Sequence, residues 1–243
     1  MVASRARLGP RVIVALDHPD RDSALGLARQ LPSDGCRLKV GHELFTACGP
    51  AIVEDLQTLG FEVFLDLKYH DIPNTVAGAC TAAARLGVWM LNVHAGGGRR
   101  MLEAAAGAVE QVATAVGRRP LLVAVTVLTS LAQDDLDDIG LPGSPGERAA
   151  SWARLSADCG LDGVVCSAHE AAGVRERCGD AFLRVTPGVR PAGVDRQDQR
   201  RTMTPGEALA AGASCLVIGR PVTAASDPAA VLLAIRRELG ESA

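Results

Sequence analysis

The sequence predicts one domain of the α/β class, a (β/α)₈ TIM barrel spanning residues 1–243. Three observations predict it. Eight short apolar runs alternate with eight stretches of helical period, glycines stand where helices must stop, and polar residues gather just past the ends of the apolar runs. The runs are nearly continuous in Val, Leu, Ile and Ala, which suits strands buried on both faces of a parallel sheet covered by helices.

In chain order, strand Val12–Leu16 precedes helix Asp22–Leu31, Arg37–Val40 precedes Gly49–Leu59, and Glu62–Leu67 precedes Val76–Leu86. Trp89–His94 precedes Arg99–Val116, Leu121–Val127 precedes Gly146–Cys159, and Gly163–Cys166 precedes Ala168–Arg177. Leu183–Thr186 precedes Pro205–Ala211, and Cys215–Ile218 precedes Ala229–Glu238. Gly60, Gly87, Gly160 and Gly212 fall at the expected helix ends. An open doubly wound sheet shares this alternation, but eight units without an early G-x-G-x-x-G fingerprint favour closure. Leu141–Gly146 and Pro187–Asp198 read as loops within the one domain.

A hydrophobic fraction of 48% excludes a disordered chain. A net charge of -3 and a pI near 6.0 provide no basic field for nucleic acid, although local Arg and Lys can still bind small anions. The seven cysteines are odd in number, scattered and without a C-x-x-C pair, so neither a disulfide framework nor a zinc site is expected. Two arginines in Met1–Pro10 are followed by no apolar run of signal-peptide type, and no stretch reaches the roughly 20 apolar residues of a membrane helix. The expectation is a soluble protein of the reducing cytoplasm with no membrane partner.

The charges fall where a barrel enzyme carries its chemistry, at the C-terminal ends of strands. Asp17 ends the first strand and Lys39 lies near the end of the second; Asp66 and Lys68 end the third, with Asp71 just beyond. His94, Thr129, Arg190 and Gly219-Arg220 follow strands four, five, seven and eight. Asp66 and Lys68 are two apart, so on a strand both side chains point one way. An ordinary exposed ion pair would look the same, but an apolar Leu67 between them and the arrival of Lys39 and Asp17 favour a functional array. Gly188 and Gly219, each close to an arginine (Arg190, Arg220), form a second constellation suited to phosphate.

At these residues the chain resembles bacterial orotidine 5′-phosphate decarboxylases. The matching pieces are Val14-Ala15-Leu16-Asp17, Leu38-Lys39-Val40-Gly41 and Asp66-Leu67-Lys68-Tyr69-His70-Asp71-Ile72-Pro73-Asn74-Thr75. They continue with Asn92-Val93-His94-Ala95, Val125 to Ser130, Thr186-Pro187-Gly188-Val189-Arg190, Asp198-Gln199-Arg200-Arg201 and Ile218-Gly219-Arg220. The D-x-K-x-x-D core is shared with other barrels acting on sugar phosphates; its extension through Ile72, Pro73 and Thr75 is more specific.

The resemblance implies conversion of orotidine 5′-monophosphate to uridine 5′-monophosphate and CO₂, with no cofactor. It implies that Lys68 donates the proton to C6, Asp66 lies beside the departing carboxylate, and Lys39 and Asp17 hold ribose hydroxyls and the charge network. It implies a homodimer with shared sites, in which Asp71 and Thr75 enter the neighbouring subunit's site. Ile72, Pro73 and Asn74 belong to the same substrate-binding run. Thr129 (or its neighbour Ser130) would lie near the base, while Arg190, Gln199, Gly219 and Arg220 would bind the 5′-phosphate. Trp89 stands where the family commonly has an acidic residue.

Loss of CO₂ from C6 leaves a carbanion that the ring delocalises poorly, so a fixed ammonium is the chemistry the reaction needs. Two alternatives remain. One is a related Mg²⁺-dependent barrel, such as a keto-gulonate-phosphate decarboxylase or hexulose-phosphate synthase; the other is a phosphate-sugar-binding barrel without catalysis. Among the remaining polar residues, His94 is expected to be a satisfied structural histidine, His70 and His42 are not expected to be ligands, and Trp89 and Trp152 are expected to pack.

Overall fold

The computed structural model of the chain describes residues 9–190 and 203–241. Eight parallel strands close into a barrel in sequence order, with β1 paired to β8. The strands are β1 (Val12–Leu16), β2 (Arg37–Val40), β3 (Val63–Tyr69), β4 (Met90–His94), β5 (Leu121–Val125), β6 (Gly163–Val165), β7 (Leu183–Thr186) and β8 (Cys215–Ile218). All eight expected strands are present, but β3 runs two residues further than expected, through Lys68 and Tyr69.

The helices among the described residues are α1 (Arg21–Ala28), α2 (His42–Cys48), α3 (Ala51–Thr58), α4 (Pro73–Arg85), α5 (Gly98–Val116) and α6 (Gln133–Asp138). They continue with α7 (Pro145–Asp158), α8 (Ala168–Cys178), α9 (Pro205–Ala210), α10 (Arg220–Thr223) and α11 (Pro228–Glu238). Three of these, α2, α6 and α10, were not expected. Each is seven residues or shorter, too brief for a hydrophobic stripe to repeat. Three others start earlier than their apolar period suggested, because proline occupies the first turn: Pro73 in α4, Pro145 in α7 and Pro228 in α11. Helix α7 therefore takes Pro145 out of the expected loop, and Ser144 caps it reciprocally with Glu147.

Strand alternation sorts the core into two bodies. Outward residues such as Val14, Leu38, Leu65, Leu91 and Leu216 meet the helices in one large cluster. Inward residues Ile13, Ala15, Phe64, Met90, Val123, Leu183, Val185, Cys215 and Val217 fill the barrel itself. The inward layers are tight: a Cβ at Gly163 would overlap the Leu183 carbonyl and Cα on the neighbouring strand. The lower end is plugged by Arg37, only 4% exposed, whose guanidinium lies 3.8 Å from the Trp89 ring centroid and pairs with Glu62. Trp89 thus belongs to the floor of the barrel, away from the charged mouth. Continuing the inward rows upward along β1–β3 leads to Asp17, Lys39, Asp66 and Lys68.

Candidate active site

Those four side chains line a cavity of about 270 Å³ at the C-terminal mouth of the barrel. Its apolar wall is Val125, Val127, Leu128, Val165, Pro187 and Val217, and Gly188, Arg190, Gly219 and Arg220 close the side formed after β7 and β8. A small apolar compartment beside a dense charge array suits a polar, charged ligand that also carries an apolar surface.

The array is ordered around Asp66, which is 9% exposed. Its Oδ1 accepts hydrogen bonds from Lys68 Nζ and Asn92 Nδ2, each at 2.7 Å, and its Oδ2 lies 3.3 Å from Lys39 Nζ. Lys39 Nζ also donates to Asp17 Oδ1 at 3.3 Å, giving the chain Asp17–Lys39–Asp66–Lys68. Burial pushes the Asp66 carboxyl up, but Lys39, Lys68 and the hydrogen bonds from Lys68 and Asn92 outweigh it and hold the pKa below 3.8. The carboxylate is therefore ionised at neutral pH despite its burial.

The backbone here is irregular. From Leu65 to Tyr69, β3 advances four residues while β4 advances two, from Leu91 to Val93. A bulge of this kind removes backbone groups from the ladder and re-aims side chains. Lys68 lies within it at φ 49°, the one non-glycine positive φ among the described residues. That conformation costs an L-residue about 1–2 kcal/mol. The released backbone groups find side chains: the Lys68 N–H donates to Asn92 Oδ1 at 2.8 Å, and Leu67 O accepts from His42 Nε2 at 3.0 Å. His42 therefore carries its proton on Nε2 and supports the backbone of β3.

On the opposite side, Arg190 is 9% exposed, and its backbone N–H donates to Met203 O at 2.9 Å, beside a parallel bridge between Val189 and Met203. Gly188 takes φ 77°, a turn open to glycine and strained for other residues. Gly219 immediately precedes α10, so Arg220 starts a short helix whose N-terminus belongs to the rim, the position where barrels frequently hold phosphate.

Most expected site residues converge here: Asp17, Lys39, Asp66, Lys68, Thr129, Arg190, Gly219 and Arg220 all line the cavity. Thr129 is the lining residue of its pair, whereas Ser130 is exposed. Gln199 and the segment Pro191–Asp198 lie outside the described residues. Asp71, Ile72, Pro73, Asn74 and Thr75 are not brought to this cavity. Asp71 is exposed and accepts a hydrogen bond from the Ile72 N–H at 2.6 Å, and Ile72 is 67% exposed. Asp71, Ile72 and Pro73 instead line a separate open groove with His70, Gly96, Gly97, Gly98, Arg99 and Arg100. Asn92, in the motif Asn92-Val93-His94-Ala95, is a site residue that the sequence reading misses. Its signal was a polar residue in the apolar run Met90–Val93, which must find partners when buried.

The expectation of a satisfied His94 is corrected. His94 stacks on His70 with ring centroids 5.4 Å apart and meets Trp152 edge-on, yet its Nδ1 has no hydrogen-bond partner among the described residues. Burial, reinforced by the neighbouring His70 and Lys68, lowers its pKa below 6.5. A histidine that resists protonation in the fold contributes stability that is present above about pH 6.5 and is lost as pH falls through the lowered value. Urea denaturation at pH 7.5 and pH 5.5 should show a smaller acid loss for His94→Leu than for wild type; equal losses would contradict this assignment.

Among the described residues, no three His, Cys, Asp or Glu side chains are grouped to hold a metal ion, and no helix is long and apolar enough to cross a membrane. Residues 10–235 match the family described as orotidine 5′-phosphate decarboxylase / HUMPS. An orotidine 5′-phosphate decarboxylase of Halorhodospira halophila is 62% identical over 230 residues, covering 95% of this chain and 96% of the relative. One of Chromohalobacter salexigens is 58% identical over 233 residues, again covering 95% and 96%. The crystal structure of orotidine 5′-phosphate decarboxylase from Lactobacillus acidophilus superposes with a TM-score of 0.84 at 39% identity, covering 94% of this chain and 98% of that one. The chain belongs to the orotidine 5′-phosphate decarboxylase / HUMPS family.

Proposed function

We propose that the chain, acting as one barrel domain without a cofactor, performs the reaction for which these relatives are named. It is a carboxy-lyase that releases the C6 carboxylate of orotidine 5′-monophosphate as CO₂ and leaves uridine 5′-monophosphate, within pyrimidine biosynthesis. The observation that carries this reading is the Lys68 ammonium, held 2.7 Å from a buried, ionised Asp66 in a cavity whose far wall offers Arg190 and Arg220.

The chemistry follows from that arrangement. The C6–CO₂ bond breaks and its electron pair stays on C6. Lys68 sits as a fixed positive charge where that pair develops, which stabilises the carbanion more than the substrate. Lys68 then transfers one proton to C6, becomes a neutral amine and is reprotonated from water. Asp66 holds the Lys68 ammonium in place through its 2.7 Å hydrogen bond, and its proximity to the substrate carboxylate adds a repulsion that CO₂ departure relieves. Lys39 balances the second negative charge, and with Asp17 it offers partners to ribose hydroxyls. Thr129 approaches the base. Arg190, Gln199, Gly219 and Arg220 hold the 5′-phosphate, and that remote binding energy positions C6 against Lys68.

We further propose a homodimer in which Asp71 and Thr75, with Ile72, Pro73 and Asn74, complete the partner's site. The support is their placement: an exposed carboxylate and an exposed isoleucine beside an open groove, away from their own cavity. Seven unpaired thiols suit a reducing cytoplasm, with Cys166 at the cavity wall kept as a neutral thiol by burial.

Turnover of orotidine 5′-monophosphate, followed by ultraviolet absorbance, is expected to be unchanged by EDTA; chelator-sensitive turnover would favour the metal-dependent branch of the family. In the same assay Arg220→Ala should raise KM about 10–100-fold, the value of one charge-assisted contact to phosphate. An unchanged KM would remove Arg220 from the phosphate site.

A further inference from the structure

We propose that Asn92 is a positioning residue for the decarboxylation, its side-chain amide clamping the Lys68 backbone and the Asp66 carboxylate at once. The inference rests on the reading of Lys68 as proton donor given above.

The amide closes a ring of hydrogen bonds. The Lys68 N–H donates to Asn92 Oδ1 at 2.8 Å, Asn92 Nδ2 donates to Asp66 Oδ1 at 2.7 Å, and Lys68 Nζ donates to that same oxygen at 2.7 Å. Both ends of Lys68, its main chain and its ammonium, are thus referred to one side chain on the adjacent strand. The orientation of the amide is forced, because a backbone N–H can only be met by its oxygen and a carboxylate only by its nitrogen.

Asn92 is 0% exposed, so bulk water offers no substitute for either bond. Its place on β4 is inward, between Met90 below and His94 above, directly across from the bulge that carries Lys68. The bulge by itself leaves the Lys68 N–H outside the ladder, and the left-handed φ of 49° requires surroundings that over-determine it. Asn92 supplies that restraint from a rigid strand, where a loop would leave the ammonium a wider range of positions. Lys39, the other cation at Asp66, approaches the second carboxylate oxygen and cannot replace the amide.

Asn92→Ala and the isosteric Asn92→Asp would be compared with wild type for kcat, KM, the pH dependence of kcat and thermal midpoint. Asn92→Asp can still accept from the Lys68 N–H but places a second carboxylate against Asp66. The expected result for Asn92→Ala is a fall in kcat of about 100-fold with KM within about threefold, the pattern of an interaction used in the transition state. In both variants the acid limb of the kcat profile should move to higher pH, because Asp66 loses a hydrogen bond to its ionised form. Should Asn92→Ala not fold, Asn92→Asp carries the test alone. Wild-type kcat with an unmoved acid limb overturns the proposal, as does a loss confined to KM or to the thermal midpoint. Lys68→Ala measured in parallel separates the two readings: full turnover there would defeat the assignment of Lys68 itself, whatever Asn92 does.

Discussion

Lys68→Ala should lower kcat/KM by about 10⁴–10⁷-fold. The range follows from the two tasks that the proposed mechanism gives one ammonium. A preorganised charge at a developing anion contributes about 10²–10³-fold, and a positioned general acid about 10²–10⁴-fold. Both are lost together, because Ala supplies neither charge nor proton. Lys39 cannot compensate: its ammonium is committed between Asp17 and Asp66, 3.3 Å from each, on a different strand. The substitution also leaves Asp66 with one cation where it had two, so its carboxyl titrates closer to neutrality. The measurement is steady-state decarboxylation with the thermal midpoint as control for folding. Activity within tenfold of wild type would remove Lys68 from the centre of the mechanism.

Mixing equal amounts of Lys68→Ala and Asp71→Ala proteins, each nearly inactive alone, should restore about a quarter of wild-type activity after subunit exchange. If the chain forms the proposed homodimer, half of the dimers in a random mixture are mixed, and each mixed dimer would own one intact site: Lys68 from the Asp71→Ala subunit and Asp71 from the other. Asp71 is only three residues beyond Lys68, yet it is turned to the surface and bonded to its own Ile72 N–H. An exposed Ile72 beside it, and an open groove under it, fit contact with a second copy of the chain. If Asp71 served its own barrel, no mixed dimer would contain a complete site and the mixture would stay inactive. The readout therefore separates a shared site from a self-contained one.

Much of this was legible in the sequence because it depends on short-range pattern. The barrel was readable from eight apolar runs, since a strand buried on both faces leaves an uninterrupted apolar record. The pairing of Asp66 with Lys68 was readable because strand period two places them on one face. What escaped depends on register between strands. The bulge in β3 exists only relative to β4, and with it come the left-handed Lys68 and the roles of Asn92 and His42. The short helices α2, α6 and α10 escaped for a different reason: none is long enough to display a period, and α2 is bounded by Gly41 and Gly49. His94 was expected to be satisfied, as buried polar groups usually are; its Nδ1 is instead buried without a partner among the described residues, beside the stacked His70 ring.

In the proposed mechanism Lys68 stabilises an anion at C6 and exchanges a proton with it. Microscopic reversibility provides a test free of CO₂ release. An enzyme that protonates the C6 carbanion must also, at some rate, remove the C6 proton of bound uridine 5′-monophosphate. In D₂O the wild-type protein should replace hydrogen by deuterium at C6, detected by proton NMR, and Lys68→Ala should not do so even at saturating nucleotide. Exchange by Lys68→Ala at the wild-type rate would contradict the account.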